Sequence, residues 1–308
     1  MPDTEDPFSG VREFVGAVRT GSFTAAGAIL GLTGSAVGKS VTRLEARLGT
    51  KLLHRTTRRL SLTPEGQRYF DGWVAILSDV EGLEKSVTAG SGQIAGRLHV
   101  HLPAAFGRRH VMPVLIRLAA VHPALDLSIT FTERRVNMIE DGVDLVVRIG
   151  ALSDDPDLVA RKLGRQRLVI CASPDYLAAH GPLSAPADLT GHDCIIGSRR
   201  VSVPPAWLLR LADGTTTSQQ IRARHEFSDG DAMLNAALAG AGLAQLPTWL
   251  VGSALASGAL VPVLEPFSGA EMPIHAVWPR SRYLKPGQRA LIDALVADAA
   301  RPEAGYWL

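Results

Sequence analysis

Cysteine is almost absent from this 308-residue chain: Cys171 and Cys194 are the only two, far apart and without metal-ligand spacing. That excludes a disulfide-stapled secreted scaffold and a zinc ribbon, and the pair reads as ordinary reduced thiols. No uninterrupted apolar run reaches the roughly 18 residues that a membrane span needs. The acidic start, with Asp3, Glu5 and Asp6, lacks the basic and apolar profile of a signal peptide, so a cytoplasmic protein without a membrane partner is expected. There is no Gly-x-Ser-x-Gly elbow, zinc-protease helix or Walker loop, and no nucleophile or acid–base constellation. Neither an enzyme nor a cofactor is therefore expected. His99 and His101 share one side of a strand pattern without a third ligand, which leaves them as paired strand histidines. Aromatic residues make up only 6% of the chain, and Trp207, Trp249 and Trp278 read as core. Gly240-Ala-Gly242 follows a helix pattern and reads as a helix stop rather than a phosphate loop. What remains is a globular composition, 46% hydrophobic and 20% charged, on a chain too long for one core, so two or more domains are expected.

Residues 22–45 carry the strongest local pattern: two short helical segments around a tight Gly31-Leu32-Thr33 turn, a helix-turn-helix. In the second segment Val37, Val41, Leu44 and Leu48 form an apolar stripe, while Lys39, Arg43 and Arg47 form a row of cations on another face. Thr33 or Ser35 would cap its N-terminus. Ala25, Ala26 and Ala28 would let the first helix approach closely, with Leu30 and Leu32 filling the angle. Beyond it, 51–54 and 60–62 read as short strands flanking the basic tip Arg55-Thr-Thr-Arg-Arg59, which is a winged helix-turn-helix pattern. From Lys39 to Arg59 seven Lys or Arg face the single Glu45, a local charge of +6 in a chain whose total is +2. Such concentration is the footprint of a phosphate-binding face, so double-stranded DNA is the expected partner.

From Pro64 to about Ala89 the residues Tyr69, Trp73, Ile76, Leu77, Val80, Leu83 and Val87 recur three or four apart, which predicts one long amphipathic helix stopped at Gly90-Ser-Gly92. Standing between domains with no evident core to cover, its stripe calls for an antiparallel copy from a second chain. Beyond Gly96 the pattern changes to strands at 98–102, 125–131, 144–149, 168–172, 221–227 and 274–278. Helices near 109–121, 174–180, 230–240, 247–256 and 286–300 alternate with them, which predicts α/β layers with a mainly parallel sheet.

The runs Gly21-Ser-Phe-Thr-Ala-Ala-Gly27, Arg43-Leu-Glu-Ala-Arg-Leu-Gly49, Leu53-His-Arg-Thr-Thr-Arg58 and Leu62-Thr-Pro-Glu-Gly66 resemble the N-terminal signature of LysR-type transcriptional regulators. Gly96-Arg-Leu98, Asp144-Leu-Val-Val-Arg-Ile-Gly150, Cys171-Ala-Ser-Pro-Asp-Tyr-Leu177, His192-Asp-Cys194 and Gly240-Ala-Gly-Leu-Ala-Gln-Leu-Pro247 extend the resemblance over nearly the whole chain, most closely to the CrgA-type branch. Gly34 and Gly38 depart from it, standing where relatives often carry polar side chains at the start of the recognition helix. The resemblance implies an N-terminal all-α winged helix-turn-helix plus linker helix, then a C-terminal α/β two-lobed periplasmic-binding-protein-like effector domain. The expected boundaries are 1–63 for the DNA-binding domain, 64–92 for the linker and dimerisation helix, and 93–308 for the effector domain. Lobe I would take about 93–165 and 268–308 and lobe II about 166–267, with crossings near 164–167 and 266–273. A homo-oligomer is implied, dimeric through the linker helix and tetrameric overall.

Thr33, Ser35, Lys39, Ser40 and Arg43 on the helix, with Arg55, Arg58 and Arg59 on the wing, are the candidate DNA-binding residues. In such a two-lobed fold a ligand sits at the carboxyl ends of strands. That makes Pro103, Ala104, Thr132, Glu133, Arg148, Gly150, Gly197, Ser198, Arg199, Arg200, Ser228 and Asp229 the effector candidates. A helix starting near Gly230, with Arg148, Ser198 and Ser228, suits a small organic anion. The competing reading is a solute-binding protein or small-molecule enzyme with a helical N-terminal appendage; the first would need export, and neither would need the charge between Lys39 and Arg59.

Overall fold

A computed structural model describes residues 6–55, 60–88, 94–134, 136–138, 141–198, 203–281 and 284–301. Two compact units emerge: Met1–Thr88 with Asn137–Gly142, and Ala89–Val136 with Val143–Leu308.

In the N-terminal unit the helices α1 (Val11–Thr20), α2 (Phe23–Leu30) and α3 (Gly34–Leu48) are followed by the strands β1 (Leu53–Arg55) and β2 (Leu60–Leu62), then by α4 (Pro64–Thr88). Ser22 caps α2 by accepting from the Ala25 amide, and Thr33 caps α3 by accepting from the Ala36 amide. Val37, Val41 and Leu44 are buried as the helical spacing requires, whereas Leu48 at the last turn is 40% exposed. Of the alanines expected to bring α2 close, Ala26 is buried while Ala25 and Ala28 are exposed, and Leu32 stays exposed as well. The wing strands pair antiparallel, Leu53 opposite Leu62 and Arg55 opposite Leu60. Residues 56–59, and with them the expected tip arginines Arg58 and Arg59, lie outside the described residues. Close approach fixes Gly66 at the start of α4, because a Cβ there would lie 1.9 Å from the Leu52 carbonyl oxygen.

The long helix is present, but its first half has a core of its own to cover. Tyr69, Phe70, Trp73, Val74 and Leu77 pack against the cluster of Val11, Phe14, Val41 and Leu44. Phe8 meets Trp73 edge-on at 5.4 Å and Phe14 lies 5.7 Å from Tyr69. The stripe expected to await a second chain is thus partly satisfied within the unit. On the described part of α4, Ile76 and Val80 are the large apolar side chains left exposed.

The C-terminal unit begins with β3 (Gly96–Leu102), and α5 (Ala104–Phe106) continues through a π-helical turn at Gly107–Val111 into α6 (Met112–Val121). Then come β4 (Leu125–Phe131), β5 (Leu145–Ile149), β6 (Leu158–Ala172), α7 (Pro174–His180) and β7 (Cys194–Gly197). A hairpin of β8 (Ala206–Arg210) and β9 (Thr216–Gln220) precedes β10 (Ala223–Phe227), α8 (Gly230–Leu238), β11 (Leu243–Pro247) and α9 (Thr248–Ala256). The chain closes with β12 (Val261–Pro262), β13 (Glu271–Pro279) and α10 (Pro286–Ala299). The nine-stranded sheet runs β10-β7-β11-β6-β13-β5-β3-β4, with β12 on β6. Strands β3, β4 and β5 are mutually parallel, as are β7, β10 and β11, while β6 and β13 run antiparallel to their neighbours. The crossings between lobes are therefore continuous strands rather than linkers: β6 and β13 pair from Leu158 opposite Pro279 to Arg167 opposite Glu271.

Each lobe has its own core. Leu98, Val100, Leu102, Leu115, Ile274, Leu291 and Leu295 anchor one, and burying each such side chain is worth about 1.5–3 kcal/mol. In the other lobe Ile170, Cys194 and Leu243 face one side of the sheet while Cys171, Ile195 and Ala244 face the other. The two cysteines thus sit on opposite faces, and burial pushes each thiol up to about 12.

Candidate nucleic-acid interface and ligand crevice

Helix α3 turns a continuous exposed face outward, on which Ser35, Gly38, Lys39, Thr42 and Arg43 line a shallow concavity. Their spacing is the helical complement of the buried Val37, Val41 and Leu44. Thr42 is the addition to the sequence-derived set; its hydroxyl donates to the Gly38 carbonyl at 2.8 Å. One residue, Ser40, leaves that set, and Arg47 leaves the cation row. Ser40 is buried and its hydroxyl donates to Glu13 Oε1 at 3.2 Å, because position 40 belongs to the inner stripe with 37, 41 and 44. Arg47, expected in the cation row, donates to the carbonyls of Asp6, Pro7 and Ser9 and pins the segment 6–9 to α3. Thr33 is exposed with its hydroxyl engaged as the N-cap, and Arg55 ends β1.

Gly34 has a packing reason for its departure from a polar side chain: a Cβ would come within 3.0 Å of the Thr24 Cα. Gly38 has no such neighbour, its nearest contact being Phe23 at 3.8 Å. Beneath the face, Glu45 is almost fully buried and holds the wing in place. Its Oε1 accepts from the Leu52 and Leu53 amides at 3.0 and 3.1 Å, and its Oε2 pairs with Lys51 at 3.0 Å.

In the C-terminal unit a crevice of about 720 Å³ opens between the lobes, in the size range of small-molecule sites. Pro103, Gly197, Ser198, Ser228 and Asp229 line it as the strand-end argument expects. Ala104 and Thr132 line an adjoining recess of about 320 Å³ that shares Ser198, Ser228 and Asp229. Arg148 and Gly150 line neither, and Arg199 and Arg200 lie outside the described residues. Arg148 lies on β5 opposite His275, and Gly150 sits behind Met272, whose side chain reaches the crevice instead.

Of the other crevice residues, Gln166 and Phe106 carried no local sequence signal, whereas Glu133 is one of the strand-end candidates. Gln166, on the crossing strand β6, is 6% exposed and accepts from Trp249 Nε1 at 3.0 Å, so Trp249 is a crevice wall as much as core. Phe106 meets Trp249 edge-on at 5.5 Å. Glu133, just past β4, accepts from the Ala104 amide at 3.1 Å; desolvation, then the nearby Asp229 charge, raises its pKa despite that hydrogen bond. Across the crevice mouth Arg108 donates to Asp229 at 2.7 Å and to Asp231 at 2.8 Å, and Arg109 pairs with Asp231, so charged pairs join α6's approach to the start of α8. Burial would raise the Asp229 pKa, but hydrogen bonds from Arg108 and the Asp231 amide hold it below the usual carboxylate range. At the start of α8, where an anion is expected, the Asp229 carboxylate accepts from the Asp231 amide at 2.7 Å.

Comparison with known proteins extends the geometry. Residues 8–67 match the bacterial regulatory helix-turn-helix protein, lysR family, and residues 91–300 match the LysR substrate binding domain. The transcriptional regulator CrgA of Neisseria meningitidis is 34% identical over 92% of this chain and 94% of its own. A helix-turn-helix transcriptional repressor of Pseudomonas aeruginosa is 33% identical over 94% of this chain and 90% of its own. The solved structure of CrgA, described as a LysR-type transcriptional regulator, aligns with a TM-score of 0.59 at 32% identity, covering 95% of this chain and 98% of that one. The fold is also shared with ArgP of Mycobacterium tuberculosis, at a TM-score of 0.71 and 20% identity over 94% and 96% of the two chains.

Proposed function

The chain belongs to the LysR family of helix-turn-helix transcriptional regulators, and from that premise we propose which of its residues read DNA, bind the effector and hold two copies together. Ser35, Lys39, Thr42 and Arg43 contact DNA from the major groove, with Thr33 at the helix N-terminus and the wing residues Arg55, Arg58 and Arg59 on the backbone. The observation that carries this is the exposed face of α3, on which the charged groups Lys39 and Arg43 are both basic. The effector occupies the crevice between the lobes, against Pro103, Gly197, Ser198 and Ser228. It alters DNA binding only as far as it favours one lobe arrangement over another.

Boundaries of 1–63, 64–92 and 93–308 divide these tasks. Assembly is a dimer through the exposed Ile76 and Val80 of the linker helix, doubled to a tetramer, and the protein works in the cytoplasm beside its DNA. Titrating the full chain against the duplex upstream of its own gene, over a salt series, tests the assignment. Log affinity should fall linearly with log salt, by about 0.9 per phosphate neutralised, and an unrelated duplex should bind about a thousandfold more weakly. Equal affinity for both duplexes would contradict sequence reading.

A further inference from the structure

Gly38 stands in the outward face of α3, and the fold gives no reason for a glycine there. Its φ is not positive. The nearest atom that a Cβ would meet is Phe23 Cδ2 at 3.8 Å, an ordinary van der Waals contact. Gly34 in the same helix is different, because its Cβ would press on the Thr24 backbone at 3.0 Å. A glycine in a helix interior is less favourable than an alanine by about fivefold in the local helix equilibrium, so position 38 carries a cost with no counterpart in packing. Gly72 and Gly252 also sit in helices with nothing within 4 Å of a Cβ; what distinguishes Gly38 is its place in the concavity, between Ser35, Lys39, Thr42 and Arg43. The missing side chain hollows the face at this point. The surface it uncovers has little for a polar group: the Gly38 amide belongs to the helix ladder, and its carbonyl accepts from the Thr42 hydroxyl at 2.8 Å. That bond turns the one proton of the Thr42 hydroxyl back onto the helix, and the neighbouring Phe23 presents an aromatic edge.

We infer that the recess at Gly38 receives the C5-methyl of a thymine in the major groove, which makes Gly38 a specificity-determining position that reads by the absence of a side chain. The assignment rests on α3 being the DNA-reading helix and names one base feature that it reads. Of the groups that A·T and G·C pairs turn into the major groove, the thymine methyl is the apolar projection, and the others are hydrogen-bond donors and acceptors. Lys39 and Arg43, on the same concavity, draw the helix toward the phosphate backbone on either side of the groove. A methyl that enters the recess leaves water for the glycine Cα and its apolar surroundings, a transfer worth about fourfold in affinity. A side chain at position 38 would occupy the space that the methyl needs.

A thymine-to-uracil scan tests this on the full-length protein, because uracil removes the C5-methyl and leaves the pairing edge intact. The duplex is the motif that wild type selects from random sequences, and each thymine is replaced in both half-sites together. At one thymine position uracil should weaken wild type by about fourfold per half-site. Gly38→Gln should bind the thymine duplex more weakly and should no longer distinguish uracil from thymine at that position, while uracil effects elsewhere persist. Gly38→Ala should unfold at a temperature no lower than wild type, since a Cβ has room and the helix gains from it. A lower midpoint would make the glycine structural and overturn the inference. A uracil effect that survives unchanged in Gly38→Gln, or no uracil effect at any thymine, would overturn the methyl contact; α3 would remain the reading helix so long as Gly38→Gln still weakens binding. Wild-type affinity for the selected motif in Gly38→Gln would instead place this face of α3 outside the groove, and the inference would fall with the reading it rests on.

Discussion

Removing the Glu45 carboxylate should release the wing from the recognition helix. The Leu52 amide, the Leu53 amide and the Lys51 ammonium all converge on this side chain, which is only 2% exposed. In Glu45→Ala the two buried amides lose their acceptor, each at about 1–3 kcal/mol. Relief from burying the carboxylate offsets part of this, and Lys51, 71% exposed, contributes little. The net is about 3 kcal/mol, in the range for breaking a buried pair from one side. Hydrogen exchange followed by mass spectrometry reads it directly: the Leu52 and Leu53 amides should exchange about a hundredfold faster than in wild type. Glu45→Gln keeps a carbonyl oxygen for those amides and should lose much less, while Lys51→Ala should leave exchange nearly unchanged. Wild-type exchange in Glu45→Ala, or equal loss in the Ala, Gln and Lys51 variants, would refute the anchoring role.

At the proposed dimer contact, Ile76→Asp with Val80→Asp should halve the mass seen by light scattering and sharply reduce DNA affinity, because a single head reaches one half-site; unchanged mass and affinity would place the contact elsewhere. These positions test it more cleanly than Leu77, whose replacement would also damage the packing on the helix-turn-helix core. Burial, reinforced by Arg109, lowers the His110 pKa from 6.5 to about 4, so the folded protein disfavours its protonation. The unfolded chain binds the proton more readily between those values, and stability should therefore decline as pH falls from about 6.5 toward 4. His110→Gln should flatten that part of a denaturation-versus-pH profile, and a profile identical to wild type would remove His110 as a contributor.

Legibility followed locality. Helix α3 could be sorted by spacing because every face of a helix is written at 3.6-residue intervals, and the same rule places Ser40 with Val37, Val41 and Leu44 on the inside. Its hydroxyl suggested DNA contact, whereas its position dictated burial against Glu13. The linker helix was visible from its period, but a period does not say which core the stripe meets; Trp73 and Leu77 proved to cover the core beside them. In the C-terminal unit the strand-end rule located Pro103, Ser198, Ser228 and Asp229. It overlooked Gln166 and Met272, which enter from the crossing strands β6 and β13, and Trp249, which enters from the start of α9. Short buried strands such as β7 and β11 were missed because each spans only four or five residues, too few to establish an alternation. Asp229 was read as a ligand group; the fold uses it as the local cap of α8, through the Asp231 amide, and pairs it with the sequence-distant Arg108, a tertiary contact that no local pattern shows.

That the outer face of α3 reads base edges is tested most directly by binding-site selection from random duplexes, performed in parallel with wild type, Ser35→Ala and Lys39→Ala. Wild type should return a defined motif, and each variant should relax preference at one position, symmetric in the two half-sites, by about 1–3 kcal/mol while the rest of the motif persists. Recovery of the full wild-type motif by both variants would contradict the assignment and place sequence reading outside these residues.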